Sequence, residues 1–585
     1  MKKWNLDRLY LGFDDPKYTE DLERLDKMIM EINSQAIDFQ NYDEKLKKLL
    51  RYLNNDISYS NLIRKLYSFA SLTESVDSTN QQAVKMTNVL RRKFTELTKV
   101  NTIFEKWLAN YPDLDQDIQK DMFLKEHEFY LNEIKNNAKH MLPDEMELMI
   151  AKLRQTGSSA WGTLQSLLTS TLEVEYNGKI ITLSEVRNLA DDADPVVRKN
   201  AYDAELKAYK KIEKSSAAAL NSIKGEVNIL SSARGFASPL DQALYNSRMS
   251  EETLIAMQDA VKDYYDVFRN YLKRKAQLLG HSNGLPFYDL YAPIGEVNKR
   301  FTIEEANEYV LKNFKTFSEP LYEMARKAFR DEWVDYTPRP GKRGGAFCSN
   351  IHPIKESRVM TNFTGAFGDM ITLSHELGHA YHGEVIFKES LLNSSYTMPV
   401  AETASTFCET IVNKAALKDA TSKNEKIFLL ESSIQSYTAV VIDIMSRFIF
   451  EKAVFEGREK TVFDANELNE IMLSAQKETY GDGLDQEYLH PYMWVCKPHY
   501  YSGGLSYYNF PYTFGLLFAK GLYSKYLEDK DTFVANYDHL LAATGKTTVE
   551  DTAKLMNIDV TKKDFWISSL ELLKEDIEQF LELTK

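Results

Sequence analysis

A mostly α-helical protein built in two or more lobes is what this sequence predicts. Three observations carry that expectation. No glycine occurs between Gly12 and Gly157, and that span holds only Pro16, Pro112 and Pro143, so little interrupts helix propagation. Apolar residues recur at helical spacing, as in Leu46, Leu49, Leu50 and Leu53. At 585 residues the chain exceeds what a single apolar core serves.

The elements follow in order. Residues 12 to 157 read as several long helices. Leu172 to Ile181 alternates in polarity around Asn177-Gly178, a β-hairpin signal. Helical patterning resumes near Ser184 and runs to about residue 280, with Asp194-Pro195 as a helix start. Tyr288 to Pro293 reads as a loop. Near residue 335 the texture changes to a breaker-rich loop holding Pro338, Pro340, Gly341, Gly344 and Gly345, and Arg358 to Phe363 suits a short strand. Asp369 to Phe387 is helical in pattern, and a second irregular stretch covers Gly481 to Gly504. The expected division is an N-terminal helical lobe over 1–195, hairpin included, and a catalytic domain over 196–585.

Composition excludes several classes. With 43% hydrophobic and 27% charged residues the chain is a folded globular protein. A net charge of −14 argues against a general nucleic-acid binder, which needs a basic footprint. Three cysteines, Cys348, Cys408 and Cys496, suit a reducing compartment. The N-terminus lacks the apolar run of a signal peptide, and no stretch reads as long enough to cross a bilayer, so the cytoplasm is expected.

The chemistry lies in His375-Glu376-Leu377-Gly378-His379. Histidines at i and i+4 share one helix face, so two imidazoles can converge on one ion, while Glu376 between them can take a proton from an activated water. A catalytic zinc needs a third protein ligand and an open position. His382 returns to the same face but sits ~10 Å along the axis from His375. The better candidate is Glu402, at the start of a second helical run, with Glu409 two turns on as a partner behind the ligands. Pro498 to Tyr512, with His499 and five tyrosines around Gly503-Gly504, can supply donors to a developing oxyanion.

These segments resemble the oligoendopeptidase F branch of the thimet oligopeptidase family of zinc peptidases. The likeness is carried by Arg339 to Cys348, Arg358 to Gly365, HELGHAYH, VAETAST and PHYYSGG…YYNFPY, with weaker echoes at Ala233 to Phe236 and Tyr288 to Leu290. It implies one Zn2+ on His375, His379 and Glu402, Glu376 as general base, and contacts to substrate or transition state from His499 and Tyr512. Tyr501 and Tyr508 are further contacts, and Phe510 stands where the family pattern has a tyrosine. It further implies an edge strand around Arg358, Phe363 and Gly365 along which peptides lie, Glu409 and His382 behind the ligands, and two helical lobes flanking a deep channel that admits only short peptides. Rival readings are a carboxypeptidase, with Arg339, Lys342, Arg343 or Arg358 holding the terminal carboxylate, a non-catalytic peptide-binding protein, and a structural metal site.

Overall fold

Long helices form where breakers are scarce, Lys45–Val76 being the longest of the N-terminal set. The computed structural model describes residues 2–295 and 300–585. Helix starts follow local chemistry. Asp194 accepts from the Val196 N–H with Pro195 in the first turn, and Thr182 forms a reciprocal cap with Glu185. The predicted hairpin is present as β1 (Glu173–Tyr176) and β2 (Lys179–Thr182), turning on Asn177 and Gly178, both at positive φ.

Two apolar cores result. One gathers residues from Trp4 to Leu131 and adds Ile351 and Met360; the other gathers residues from Leu172 to Phe580. The hairpin's Val174 belongs to the second, as do Leu183 and Val186. The cores therefore divide between residues 131 and 172, ahead of the boundary expected at 195, because the hairpin packs against the helix Pro195–Tyr209.

A three-stranded sheet lies where the cores meet. Its order is β3 (Val334–Asp335), β5 (Glu356–Met360), β4 (Phe347–Ile351), with β5 parallel to β3 and antiparallel to β4. The segment expected at a sheet edge is thus the buried centre, and β3 and β4 are the outer strands. Asp335 ties the preceding loop down: Arg339 donates to both its oxygens at 2.6 and 2.9 Å, and the Lys342 ammonium reaches it at 2.6 Å.

One continuous helical run, 423–458, is long and apolar enough to span a bilayer, contrary to expectation. Its apolar side chains, among them Leu430, Ile434, Val441 and Phe450, are buried in the larger core, which explains the composition by packing.

Candidate active site

The HELGH residues lie on the helix Phe367–Ile386, which crosses the helix Thr403–Asp419 at close range. Gly378 makes that crossing possible. A Cβ there would stand 2.5 Å from the Ser405 Cα and 2.6 Å from the Ala404 carbonyl oxygen. Glu402 sits at the junction between the short helix Met398–Ala401 and the second helix, where the chain turns toward the first. Gly515 completes the approach from the third side, since a Cβ would meet that of Glu402 at 2.8 Å.

These approaches bring three ligand atoms together. His375 Nε2 and His379 Nε2 are 3.1 Å apart, and Glu402 Oε2 is 3.3 Å from the first and 3.4 Å from the second. Zinc bonds of about 2.0–2.2 Å at tetrahedral angles put neighbouring ligand atoms about 3.3–3.5 Å apart. Two imidazoles and one carboxylate at this spacing fit a zinc-sized dication and leave one corner free. Glu409 Oε1 accepts from His375 Nδ1 at 2.8 Å, which fixes the tautomer whose Nε2 lone pair faces the other ligands. Ser405 Oγ donates to Glu402 Oε2 at 2.8 Å and orients that carboxylate.

The electrostatics are those of a cation site. Burial opposes charging of His375, but the hydrogen bond to Glu409 and the fields of Glu402 and Glu376 raise it to about 9. Burial likewise pushes Glu402 up, and the two imidazoles with Ser405 overcome it, holding the carboxylate at about 2. Glu376 is buried, and desolvation raises its pKa against the pull of both histidines.

Around this centre the remaining predicted residues divide. Tyr512 donates to the Tyr508 hydroxyl at 2.8 Å, and the field of Glu402 reaches Tyr512. Tyr508 faces His499, their ring centroids 5.5 Å apart. His499 Nε2 accepts from Asn509 Nδ2 at 2.7 Å, leaving the proton on Nδ1. Burial, helped by the positive fields of Arg447, Lys224 and Lys497, pushes His499 down to about 3, so the ring is a neutral donor at working pH.

Other residues are turned away. His382 is fully buried, stacked on Tyr396 and bonded to Thr544 Oγ1 at 2.9 Å, and serves helix packing rather than backing the ligands. Tyr501 is buried beside Ser216, its carbonyl against Gly162. Arg358 is 1% exposed and spends its guanidinium on Glu356 and the Asn5 carbonyl. Phe363 is buried in the larger core, and the Gly365 carbonyl accepts from the Phe301 N–H. Those three lie on or after the central strand, which explains why they face packing partners. Of the two outer strands, β4 is the one beside the catalytic helix: its Asn350 donates to the His379 carbonyl at 3.2 Å. Arg339, Lys342 and Arg358, considered above for a terminal carboxylate, are all bound to Asp335 or Glu356. Gly378, Gly515, Ser405 and Asn509 escaped the sequence reading, although the glycine inside HELGH was a visible signal of close helix contact.

A His-Glu-x-x-His helix joined by a glutamate from a neighbouring helix defines a metallopeptidase centre. The comparisons agree. Residues 188–572 match the model of peptidase family M3, and 104–173 match that of oligopeptidase F. Oligopeptidase PepF of Bacillus subtilis is 22% identical over 99% of this chain and 88% of its own length. The oligoendopeptidase F homolog of Borreliella burgdorferi is 23% identical over 99% and 97%. Among solved structures, one from Chlamydophila abortus described as a peptidase superposes with a TM-score of 0.87 at 21% identity, covering 100% of this chain and 98% of its own. Oligoendopeptidase-F from Enterococcus faecium gives 0.71 at 20% identity, covering 96% and 99%. The chain belongs to peptidase family M3. It is a metallopeptidase.

Proposed function

We propose that the protein is a zinc endopeptidase of short peptides, with His375, His379 and Glu402 holding the ion. The observation that carries this reading is the near-tetrahedral spacing of the three ligand atoms beside a buried carboxylate, Glu376. Zinc, when bound, lowers the pKa of a water and polarises the scissile carbonyl. Glu376 takes the proton from the attacking water and passes it to the leaving amine. Its raised pKa suits both halves of that transfer, because a carboxylate that holds its proton readily can also return it. His499, neutral and protonated on Nδ1, donates with Tyr512 to the developing oxyanion, and Tyr508 orients Tyr512 through their shared hydrogen bond.

Substrate backbone pairs with the free edge of β4, beside the catalytic helix, rather than with the buried β5. Strand addition reads backbone and tolerates many side chains. A deep channel between the lobes limits entry to short peptides, and the cytoplasm is the expected setting. Its three cysteines are unpaired, which suits that compartment.

The test is Glu376→Gln in zinc-loaded protein, measured on a peptide blocked at both ends. Zinc content stays near one per chain while turnover falls by at least a thousandfold. Wild-type rates in the variant would refute the mechanism, and failure of wild type to cut the blocked peptide would refute an endopeptidase.

A further inference from the structure

A cavity of about 650 Å³ lies against the proposed catalytic parts. Tyr508, the hydrogen-bond partner of Tyr512, lines it, as do the Gly503-Gly504 loop and Met398, which opens the short helix running into Glu402. Its volume suits a ligand site. A peptide that touches Tyr508 therefore has this cavity beside it. Two cations line the wall, Arg154 and Arg234, and among the described residues no aspartate or glutamate does.

The two arginines differ in what they hold. Arg234 is fully engaged: Nη1 and Nη2 donate to the two oxygens of Glu147, each at 2.7 Å, and Nη1 also reaches the His140 carbonyl. Arg154 uses one donor, its Nε, which meets Glu226 Oε1 at 3.3 Å. That carboxylate is already occupied by Ser158, whose N–H donates to Oε2 at 2.8 Å and whose hydroxyl donates to Oε1 at 2.6 Å. Glu226 thus aims the guanidinium and leaves Nη1 and Nη2 with no acceptor among the described residues. Neither atom is buried, and the side chain is 39% exposed. Arg154 also borders a second cavity of about 460 Å³, shared with Pro498 and Gly503 and likewise lined by no aspartate or glutamate among the described residues.

An arginine held by Nε presents its terminal edge, two parallel N–H groups spaced to match the two oxygens of a carboxylate. Resting on the peptidase reading, we propose that Arg154 binds a carboxylate of the peptide substrate in the larger cavity. An aspartate or glutamate side chain and the C-terminal carboxylate present the same pair of oxygens. The contact gives a charge preference that strand addition along β4, which reads backbone alone, does not supply.

The test measures binding without turnover, in zinc-loaded Glu376→Gln protein carrying Arg154, Arg154→Met or Arg154→Lys. The probes share one sequence free of Asp and Glu: blocked at both ends, with a free C-terminal acid, or blocked and carrying a single Glu at each position in turn. Titration calorimetry gives Kd for each. With Arg154 present, at least one carboxylate-bearing peptide binds about tenfold more tightly than the neutral parent, the size of one bidentate contact near solvent. Arg154→Met loses the gain, and Arg154→Lys keeps only part of it, because a point charge cannot form the fork. The peptide that gains identifies the source of the carboxylate. Equal affinities across the set in the protein with Arg154 overturn the proposal, whether or not the variants fold. So does a gain that survives Arg154→Met. Cleavage of no peptide by zinc-loaded wild type strikes the peptidase reading instead, and the affinities tell the two failures apart.

Discussion

Glu409 is not among the proposed metal ligands, yet its removal should change how the site chooses between metal and protons. Its carboxylate accepts from His375 Nδ1 at 2.8 Å, making Nε2 more basic toward anything it binds. Glu409→Gln keeps an acceptor oxygen in place and deletes the charge. Loss of such a partner typically costs 10–100-fold in metal affinity, about 1.4–2.8 kcal/mol. The proton feels the same loss. In the metal-free wild type His375 is raised to about 9, so below that pH a proton occupies the ligand and must leave before metal binds. Between pH 9 and pH 7 the wild type therefore loses up to ~100-fold in apparent affinity, one decade per pH unit. In Glu409→Gln the His375 pKa falls toward the ordinary imidazole range and this competition weakens. The variant should bind zinc about 10–100-fold more weakly than wild type at pH 9, with a gap that narrows toward pH 7. Competition against a chelator of known affinity at both pH values measures it. Equal affinities at pH 9, or a gap independent of pH, would refute the reasoning.

Three further outcomes are expected. Gly378→Ala drives a methyl into the Ser405 backbone, so the two ligand helices must part; stability falls by at least about 1–3 kcal/mol in urea unfolding, and zinc affinity falls with it. Tyr512→Phe removes one donor from the oxyanion side and lowers kcat by about 10²–10³ with KM little changed, checked by steady-state kinetics of the zinc-loaded enzyme. Arg358→Met costs about 3 kcal/mol of stability, the low end for breaking a buried pair because Arg8 still reaches Glu356 at 2.6 Å, and leaves KM for peptides unchanged. A raised KM in that variant would return Arg358 to the substrate site.

What could be read in the sequence was local. Two histidines one turn apart are a relation inside one helix, and Glu402, just ahead of the helix Thr403–Asp419, stands two turns before Glu409. Such spacings are legible because helix geometry is set by near neighbours. Strand order was not legible, since pairing of β5 with both β3 and β4 joins residues that sequence spacing does not relate. That is why Arg358, Phe363 and Gly365 were expected at an edge. One clue was present: Glu356 and Arg358, two apart on a strand, share a face and can neutralise each other. Tyr501 and Tyr508 sit in one aromatic run, and only packing tells that the first is buried while the second meets Tyr512.

The pleat of β5 divides its side chains between two owners: Val359 is held by the larger core and Met360, one residue on, by the N-terminal core. On the proposed docking along β4, a peptide would therefore borrow rigidity from both halves of the molecule through a single strand. If one half tilts against the other, the backbone ladder shifts with it relative to the catalytic helix. Alignment of the bond to be cut and alignment of the lobes are, on this sheet, the same adjustment.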